Sequence, residues 1–229
     1  MNVEFAVIAR IRTPYGEKFG VPRQSGLARS EGTIVFEPAY RSADAVRGLA
    51  GFSHLWLLWL FDRTAAQGWS PTVRPPRLGG NVRMGVFATR SPFRPNPIGL
   101  SCVELTAVED TAEGPVLHVT GADLVDGTPI LDIKPYLPYC DSHPDARAGW
   151  TNGADSALLQ VDFPAELLSK VPESDRPGLT DALACDPRPR YQDDPERIYG
   201  LRYGGQNIRF TVEGDTVHVV AVEELGIRN

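Results

Sequence analysis

Two arginines and three prolines are interleaved in the segment TRSPFRPNPIG, residues 89–99. The planar guanidinium groups of Arg90 and Arg94 are suited to pair with a carboxylate or a phosphate through two hydrogen bonds. The prolines fix backbone φ and remove N–H donors, so the segment is predicted to be a stiff extended loop. Because a stiff loop loses little entropy on binding, these residues indicate an anion-binding loop. The alternative is a structural crossover whose arginines bind nearby carbonyl groups.

This loop belongs to a longer stretch without acidic residues. Residues 63–103 contain neither Asp nor Glu but six arginines: Arg63, Arg74, Arg77, Arg83, Arg90 and Arg94. The whole chain of 229 residues has a formal net charge of −6, which argues against nonspecific binding of nucleic acid through overall charge. A local basic face is still compatible with binding a polyanion in one orientation. The stretch therefore predicts an anionic ligand.

A second motif, DLVDGTPILDIKPY, covers residues 123–136. Its Asp126-Gly127-Thr128-Pro129 core is a turn signature, and the Asp126 carboxylate can accept hydrogen bonds from turn N–H groups or from a ligand. Asp123, Asp126 and Asp132 also suggest a metal, but hard cations prefer a denser cluster of oxygens. A hydrolase that uses Asp126 and Asp132 lacks an accompanying nucleophile. A hairpin turn without any ligand is the remaining alternative.

Two further features are compatible with a pocket. The loop VPRQS, residues 21–25, has Arg and Gln donors that could line a pocket or simply face solvent. Trp69 lies in a polar, glycine-containing stretch and could stack on a base, whereas Trp56 and Trp59 are expected to be core residues. Packing in the core or at its rim is the favoured interpretation for all three tryptophans.

Several classes of protein are excluded by missing motifs. The chain has no GxxxxGK[ST], no GxGxxG after a strand, no GxSxG and no HExxH. Its three cysteines and four histidines are scattered, so neither a disulfide framework nor a metal site is predicted. The most apolar run, residues 55–61, is too short to span a bilayer, and the N-terminus lacks signal-peptide features. A cytoplasmic location is predicted.

The predicted fold class is mainly β. Alternation and turn signals predict strands over 3–11, 32–36, 55–61, 83–88, 99–108, 115–120 and 130–133, and a short helix over 42–49 capped by Ser42. The strand over 55–61 is expected to be buried on both faces. Short strands with almost no helix indicate a small antiparallel or mixed β-barrel.

Composition changes near residue 141, which predicts a domain boundary. Residues 141–229 have sixteen acidic and nine basic residues. They are predicted to form a strand over 158–163, a helix over 179–184, and a hairpin of strands over 208–212 and 216–222. We expect a β-barrel catalytic domain over residues 1–140 and a smaller α+β domain over residues 141–229.

Taken together, the motifs resemble one family. VPRQSGL, ADAVRGL, FSHLW, PTVRPPRLGGNVRMGVFATRSPFRPNPIG, DLVDGTPILDIKPY and LACDPRPRY are similar to the TsaA-like (TrmO) proteins. These are tRNA methyltransferases that use S-adenosylmethionine and have a β-barrel catalytic domain. The resemblance implies methylation at N6 of N6-threonylcarbamoyladenosine, next to the anticodon of threonine tRNAs. It also implies a homodimer with the cofactor site near the interface.

The resemblance also implies which residues bind the cofactor. They are Pro22, Arg23, Gln24, Asp62, Arg63, Arg90, Leu100, Asp126, Gly127, Thr128 and Pro129. Asp62-Arg63 depart from the His-Gln pair of enteric relatives, so these two positions contact the cofactor either through the backbone or through altered side chains.

The implied chemistry needs few catalytic groups. S-adenosylmethionine carries an activated methyl group, so alignment and exclusion of water matter most. The amide-like N6 is a poor nucleophile, and Asp126 is the candidate that accepts its proton. The arginines are expected to hold anticodon-loop phosphates or the threonyl carboxylate. A noncatalytic RNA-binding barrel is the alternative from another functional class.

Overall fold

The computed structural model describes residues 3–152, 158–188 and 194–226, without the side chain of Arg77. Within these ranges there are twelve strands: β1 (Ala9–Arg12), β2 (Glu31–Phe36), β3 (His54–Leu60), β4 (Thr72–Val73), β5 (Met84–Gly85), β6 (Ile98–Thr111), β7 (Gly114–Thr120), β8 (Pro129–Pro135), β9 (Gln160–Asp162), β10 (Tyr199–Tyr203), β11 (Gln206–Glu213) and β12 (Thr216–Glu224). The α-helices are α1 (Asp62–Ala65), α2 (Pro138–Asp141), α3 (Ala165–Leu168) and α4 (Arg176–Ala184). Short 3₁₀ turns cover Pro38–Tyr40, Ala43–Val46, Leu49–Gly51, Pro76–Leu78, Val86–Ala88 and Gly149–Thr151.

Six strands close into a barrel in the order β1-β2-β7-β6-β3-β8, and every neighbouring pair is antiparallel. Alternate residues point inward, as the two-residue period of a strand requires. On β3 the inward residues are Leu55, Leu57 and Trp59, which pack with Leu117 and Val119 of β7. The predicted barrel is therefore confirmed. Along β3 the residues that face the interior are buried, whereas those that face outward stay at least partly exposed.

The second unit is a four-stranded sheet in the order β10-β11-β12-β9. Strand β9 pairs with β12 in parallel, whereas the other pairs are antiparallel. Helix α4 supplies Leu179 and Leu183 to its core, where they join Phe210 and Val217. The outcome is a small α+β unit with its own apolar core, as the predicted strands and helix of this region indicate.

Buried hydroxyl groups join the barrel to this second unit. Ser30, which precedes β2, lies 2.6 Å from the Tyr15 hydroxyl and accepts a hydrogen bond from the Tyr203 hydroxyl at 3.0 Å. Burial raises the pKa of both tyrosines, so both phenols stay protonated. Nearby, the Arg29 guanidinium donates two hydrogen bonds to the Asp181 carboxylate of α4. The two units therefore share a packed and hydrogen-bonded interface.

We expect Gly178→Ala to lower the free energy of unfolding by about 1–3 kcal/mol, the usual cost of overpacking. A Cβ at this position would lie 2.4 Å from the Tyr203 hydroxyl and 2.7 Å from the Cα of Ser30. Within a helix such as α4, alanine is intrinsically more favourable than glycine, so a loss of stability in this variant is attributable to the steric clash. Urea denaturation measures the change. Gly51→Ala is the matched control because no atom lies within 4 Å of its added Cβ; equal stability of the two variants would contradict the prediction.

Four details of the predicted elements were wrong. The strand expected over 3–11 begins at Ala9, and the strand expected over 83–88 shrinks to Met84–Gly85 before a 3₁₀ turn. The helix expected over 42–49 is two 3₁₀ turns separated by Gly48 at φ +84°, and the Ser42 side chain forms no cap. Strand β3 is buried on one face only, because its other residues stay partly exposed outside the barrel.

The tail also contains elements that were not predicted, among them helix α3 and strand β10. Strand β10 has no counterpart among the predicted elements, although its residues Tyr199, Leu201 and Tyr203 alternate into the core. The strands and the helix that were predicted for the tail are present, with shifted ends.

Among the described residues, the structure contains no helix that is both long and apolar enough to cross a bilayer.

Candidate active site

A cavity of about 450 Å³ opens where four loops meet the ends of β3 and β6. Its walls come from the loop before β2, the β3–α1 junction, the loop before β6, the start of β6 and the loop before β8. The lining residues are Lys18, Val21, Pro22, Arg23, Gln24, Trp59, Phe61, Asp62, Arg63, Thr64, Thr89, Arg90, Pro92, Arg94, Ile98, Gly99, Leu100, Asp123, Leu124, Val125 and Thr128.

Eight of the eleven cofactor-binding residues expected from the resemblance line this first cavity. They are Pro22, Arg23, Gln24, Asp62, Arg63, Arg90, Leu100 and Thr128. These positions are distant in sequence, and the barrel brings them together because the loops that carry them lie at one end of it.

Asp126, Gly127 and Pro129 do not line the cavity. The Asp126 carboxylate accepts a hydrogen bond from the Thr13 backbone N–H at 3.1 Å, and the Asp126 carbonyl accepts one from Arg63 at 2.9 Å. Gly127 has φ +79°, which the turn requires, and Pro129 begins β8. These residues thus shape the turn beside the cavity, and the Asp126 carbonyl oxygen positions the Arg63 side chain.

The inner wall of the cavity is aromatic. The Trp59 ring lies against the backbone of Gly99, where an added Cβ would come within 2.2 Å of it. The ring centroids of Trp59 and Phe61 are 4.2 Å apart. The Trp59 indole N–H donates to the Ser101 hydroxyl at 2.9 Å, which fixes the orientation of the ring. Gly99 is therefore needed for the close approach of Trp59.

Asp123 is the carboxylate that reaches this wall. Its side chain accepts a hydrogen bond from the Ser101 hydroxyl, so Trp59, Ser101 and Asp123 form one chain of hydrogen bonds. Burial raises the pKa of Asp123, against the opposing effects of the Ser101 hydrogen bond and the Arg90 charge. The sequence motif contains Asp123, but its pattern does not distinguish it from Asp126.

The two arginines of the 89–99 loop have different roles. Arg94 donates to the carbonyl oxygens of Thr89 at 2.7 Å and Val86 at 3.3 Å, so it holds the loop in shape. Arg90 is exposed and donates to the side-chain oxygen of Gln24. Both arginines line the first cavity, but Arg94 is bound to backbone carbonyl groups, as the structural alternative predicts, whereas among the described residues Arg90 binds only a side chain of the cavity lining.

Arg23 connects the cavity with the second unit of the fold. Its guanidinium donates to the carbonyl oxygen of Asp186 at 3.2 Å, just beyond α4. Asp186 has φ +51°, and Arg188 binds its carboxylate through two hydrogen bonds. The beginning of the DPRPRY motif therefore helps to position a cavity residue; residues 189–191 of that motif lie outside the described part.

A second cavity of about 790 Å³ lies beside the first. The two share Arg23, Gln24, Thr89, Arg90 and Pro92, so the Arg90–Gln24 hydrogen bond lies between them. The other lining residues of the second cavity are Ser70, Thr72, Val73, Arg74, Pro75, Pro76, Arg83, Ser91, Phe93 and Trp150. Trp69, considered for base stacking from sequence, is not among them.

Within the described ranges, no group of three His, Cys, Asp or Glu side chains is placed to hold a metal ion.

Comparison with known proteins gives consistent matches over both units. The family model for the tRNA-methyltransferase O N-terminal domain matches residues 10–142, and that for the TrmO C-terminal domain matches residues 156–225. A tRNA (adenine(37)-N6)-methyltransferase from Escherichia coli K12 is 48% identical over 97% of this chain and 98% of its own length. One from Eikenella corrodens is 46% identical over 75% of this chain and 97% of its own length.

Solved structures agree with the sequence matches. A crystal structure of TrmO has a TM-score of 0.80 at 34% identity, covering 97% of this chain and all of that one. The Pseudomonas aeruginosa TrmO structure has a TM-score of 0.77 at 33% identity, covering 97% of this chain and 99% of that one. The chain belongs to the tRNA-methyltransferase O family.

Proposed function

We propose that this protein transfers a methyl group from S-adenosylmethionine to N6 of adenosine 37 in tRNA. We propose further that its substrate is N6-threonylcarbamoyladenosine in threonine tRNAs. The observation that carries the proposal is a pair of adjoining cavities in a chain of this family. The first has aromatic residues and carboxylates in its lining, and the second has four arginines and no acidic residue among its described lining residues. Relatives from two bacteria are named tRNA (adenine(37)-N6)-methyltransferases. A Pseudomonas aeruginosa relative is named a putative S-adenosylmethionine-dependent methyltransferase.

The residues of the first cavity fit S-adenosylmethionine. The cofactor has a flat adenine, ribose hydroxyl groups, a sulfonium and a zwitterionic amino acid. Trp59 and Phe61 offer aromatic surface, Asp62 and Asp123 offer carboxylates, and Arg90 offers a guanidinium. A mostly apolar pocket with a few converging polar groups is the usual form of a cofactor site.

The residues proposed to bind the cofactor fall into two groups. Those that line the cavity make direct contact: Pro22, Arg23, Gln24, Asp62, Arg63, Arg90, Leu100 and Thr128. The turn residues Asp126, Gly127 and Pro129 act indirectly: the Asp126 carbonyl oxygen binds Arg63, and Gly127 and Pro129 flank Thr128 in the chain.

The protein's own contribution to the reaction is orientation and removal of a proton. When bound, S-adenosylmethionine supplies an activated methyl group on its sulfonium. The cavity walls exclude water and align the acceptor. The N6–H proton has to leave as the new bond to nitrogen forms, and a carboxylate with a raised pKa is a suitable acceptor. We therefore assign this role to Asp123, because the Asp126 carboxylate is bound to the Thr13 backbone outside the cavity.

The proposed assembly is a homodimer that works in the cytoplasm, with the cofactor site near the subunit interface. Exposed apolar residues near the cavities support this, since Leu100 is 49% exposed and Phe87 is 75% exposed. We keep the proposed division into domains of residues 1–140 and 141–229, because the last barrel strand, β8, ends before it and the first strand of the second unit, β9, begins after it. Light scattering on the purified protein tests the dimer; a monomeric mass would contradict it.

Gly99→Ala is expected to weaken binding of S-adenosylmethionine and to destabilise the fold by about 1–3 kcal/mol. The added Cβ would meet the Trp59 ring at 2.2 Å, so the ring has to leave its place at the cavity wall. Calorimetry measures the affinity, and indole fluorescence reports the displaced ring. Gly51→Ala is again the control; unchanged affinity and fluorescence in the Gly99 variant would contradict the wall assigned to Trp59.

Nucleoside mass spectrometry of tRNA from cells with and without this protein tests the proposed function. Loss of one methylated adenosine derivative from threonine tRNAs is expected when the protein is removed. Unchanged nucleosides would contradict the proposal. A noncatalytic RNA-binding barrel predicts in addition that calorimetry detects no binding of S-adenosylmethionine, with or without tRNA.

A further inference from the structure

The second cavity has the charge of an anion-binding site. Four of its lining residues are arginines, Arg23, Arg74, Arg83 and Arg90, and none of the described lining residues is acidic. The protein as a whole has a formal net charge of −6, so the positive charge of this surface is opposite in sign to that of the whole protein. A concave surface of one sign attracts and retains ligands of the opposite sign.

The arginines of the β4–β5 hairpin are available for a ligand. Arg83 makes one long hydrogen bond, at 3.3 Å, to the Thr72 hydroxyl. Arg74 makes no hydrogen bond or ion pair with any residue that the structure describes. Pro75 and Pro76 follow Arg74 directly, so the backbone that carries it is restricted before a ligand arrives.

Aromatic side chains form another part of the cavity lining. Phe93 comes from the loop before β6, and Trp150 comes from the segment that follows the barrel. The Trp150 indole N–H donates to the Ala88 carbonyl oxygen at 2.7 Å, which fixes the ring against that loop. Arginines combined with aromatic faces are typical of sites for unpaired nucleotides, whose bases stack while their phosphates bind cations.

The position of the second cavity suits a methyl acceptor. It shares the Arg90–Gln24 pair with the first cavity, so a base in one lies next to a cofactor in the other. A base inside a folded loop has to leave its stack to enter such a cavity. We propose that the second cavity receives the acceptor nucleotide, with its base on Trp150 and an anionic group on Arg74 and Arg83. The N6 group then extends past Arg90 into the first cavity, which Asp123 lines.

This proposal rests on the proposed function and specifies where its substrate binds. The anion is either a backbone phosphate or a carboxylate on the N6 substituent, since guanidinium groups bind both. Trp150 lies outside both motif-rich loops, and nothing in the sequence pattern singles it out.

The test measures binding of two anticodon stem-loop RNAs by fluorescence anisotropy. One RNA has unmodified adenosine at the acceptor position, and the other carries a carboxylate-bearing N6 substituent. The variants are the double change R74A/R83A, Trp150→Ala and Trp150→Phe. Arg47→Ala is the matched control, because this exposed arginine directly follows the 3₁₀ turn Ala43–Val46 and lines neither cavity. Calorimetry with S-adenosylmethionine and circular dichroism check that the first cavity and the fold are intact.

We expect the double variant and Trp150→Ala each to lose about tenfold or more in RNA affinity, and Trp150→Phe to recover most of the loss. Quenching of indole fluorescence by RNA should shrink in Trp150→Phe. If the anion is a phosphate, both RNAs lose affinity and the salt slope falls by about 0.7 per contact. If it is the carboxylate, R74A/R83A weakens binding of the modified RNA only, whereas Trp150→Ala weakens binding of both RNAs; either result supports the site.

Wild-type affinity of all three variants for both RNAs would overturn the proposal. That result can be separated from failure of the proposed function, because RNA binding is measured without cofactor. If wild-type protein methylates tRNA while the variants bind normally, only the location of the acceptor is wrong. If wild-type protein fails to methylate, the proposed function is wrong, whatever the variants show.

Discussion

Arg90→Ala is expected to lower kcat/KM for methyl transfer by about 100-fold and to weaken binding of S-adenosylmethionine by about tenfold or more. Arg90 lines both cavities and donates to Gln24 between them, so its loss affects cofactor and acceptor together. A hydrogen bond to a charged group contributes about 1.5–3 kcal/mol, which corresponds to roughly 10–150-fold in an equilibrium constant. Steady-state kinetics and calorimetry measure the two effects.

Two further variants sharpen this prediction. Arg90→Lys keeps the charge but loses the planar donor pair, so partial activity is expected. Arg47→Ala removes another exposed arginine, which lies outside both cavities, and should leave activity unchanged. Normal kinetics of Arg90→Ala would contradict the placement of Arg90 between cofactor and acceptor.

Asp123→Asn is expected to lower kcat by about 100-fold or more, the usual contribution of a positioned general base, while the affinity for tRNA is kept. Asparagine preserves the shape of the side chain and still accepts the hydrogen bond from Ser101. In the wild type, kcat should rise with pH through the raised pKa of Asp123, and this limb should disappear in the variant. Asp132→Asn is the control, because Asp132 pairs with Lys134 outside both cavities. Equal kcat values for the two variants would remove Asp123 from the mechanism.

The same substitution has an effect on stability that needs no cofactor. A carboxyl group whose pKa is raised on folding binds more protons in the folded state than in the unfolded state. Its contribution to stability is therefore present below the unfolded pKa and is lost as pH rises through the folded pKa. Asp123→Asn should consequently raise the free energy of unfolding at neutral pH, and the gain should vanish as the pH falls below the ordinary range of an aspartate. Urea denaturation as a function of pH measures this difference.

Barrel strands could be predicted where burial alternates along them. Strands β2 and β7 match their predicted spans within one residue, because inward apolar residues alternate with outward ones. The prediction of a strand over 83–88 was wrong because only Met84 and Gly85 pair with β4. The chain turns away at Val86, whose carbonyl oxygen accepts a hydrogen bond from Arg94. The long-range contacts of an arginine side chain are not visible in local periodicity.

Some residues of the candidate site could likewise be predicted from the sequence, and others could not. Residues within the family motifs, such as Arg90 and Leu100, could be expected from those motifs to share a site. The choice between Asp123 and Asp126 could not, because both belong to one loop before β8 and only the path of the backbone directs one carboxylate into the cavity. Trp150 could not be predicted either, because its place beside Ala88 depends on how the chain leaves the barrel.

The most direct measurement is methyl transfer by the purified protein. Threonine tRNA carrying N6-threonylcarbamoyladenosine is incubated with S-adenosylmethionine that has a heavy methyl group, then digested and analysed as nucleosides by mass spectrometry. We predict a heavy methyl group on N6 of that nucleoside with the wild-type protein and very little with Arg90→Ala. A heavy methyl group on a different nucleoside would contradict the substrate, and its absence from every nucleoside would contradict the proposed methyl transfer itself.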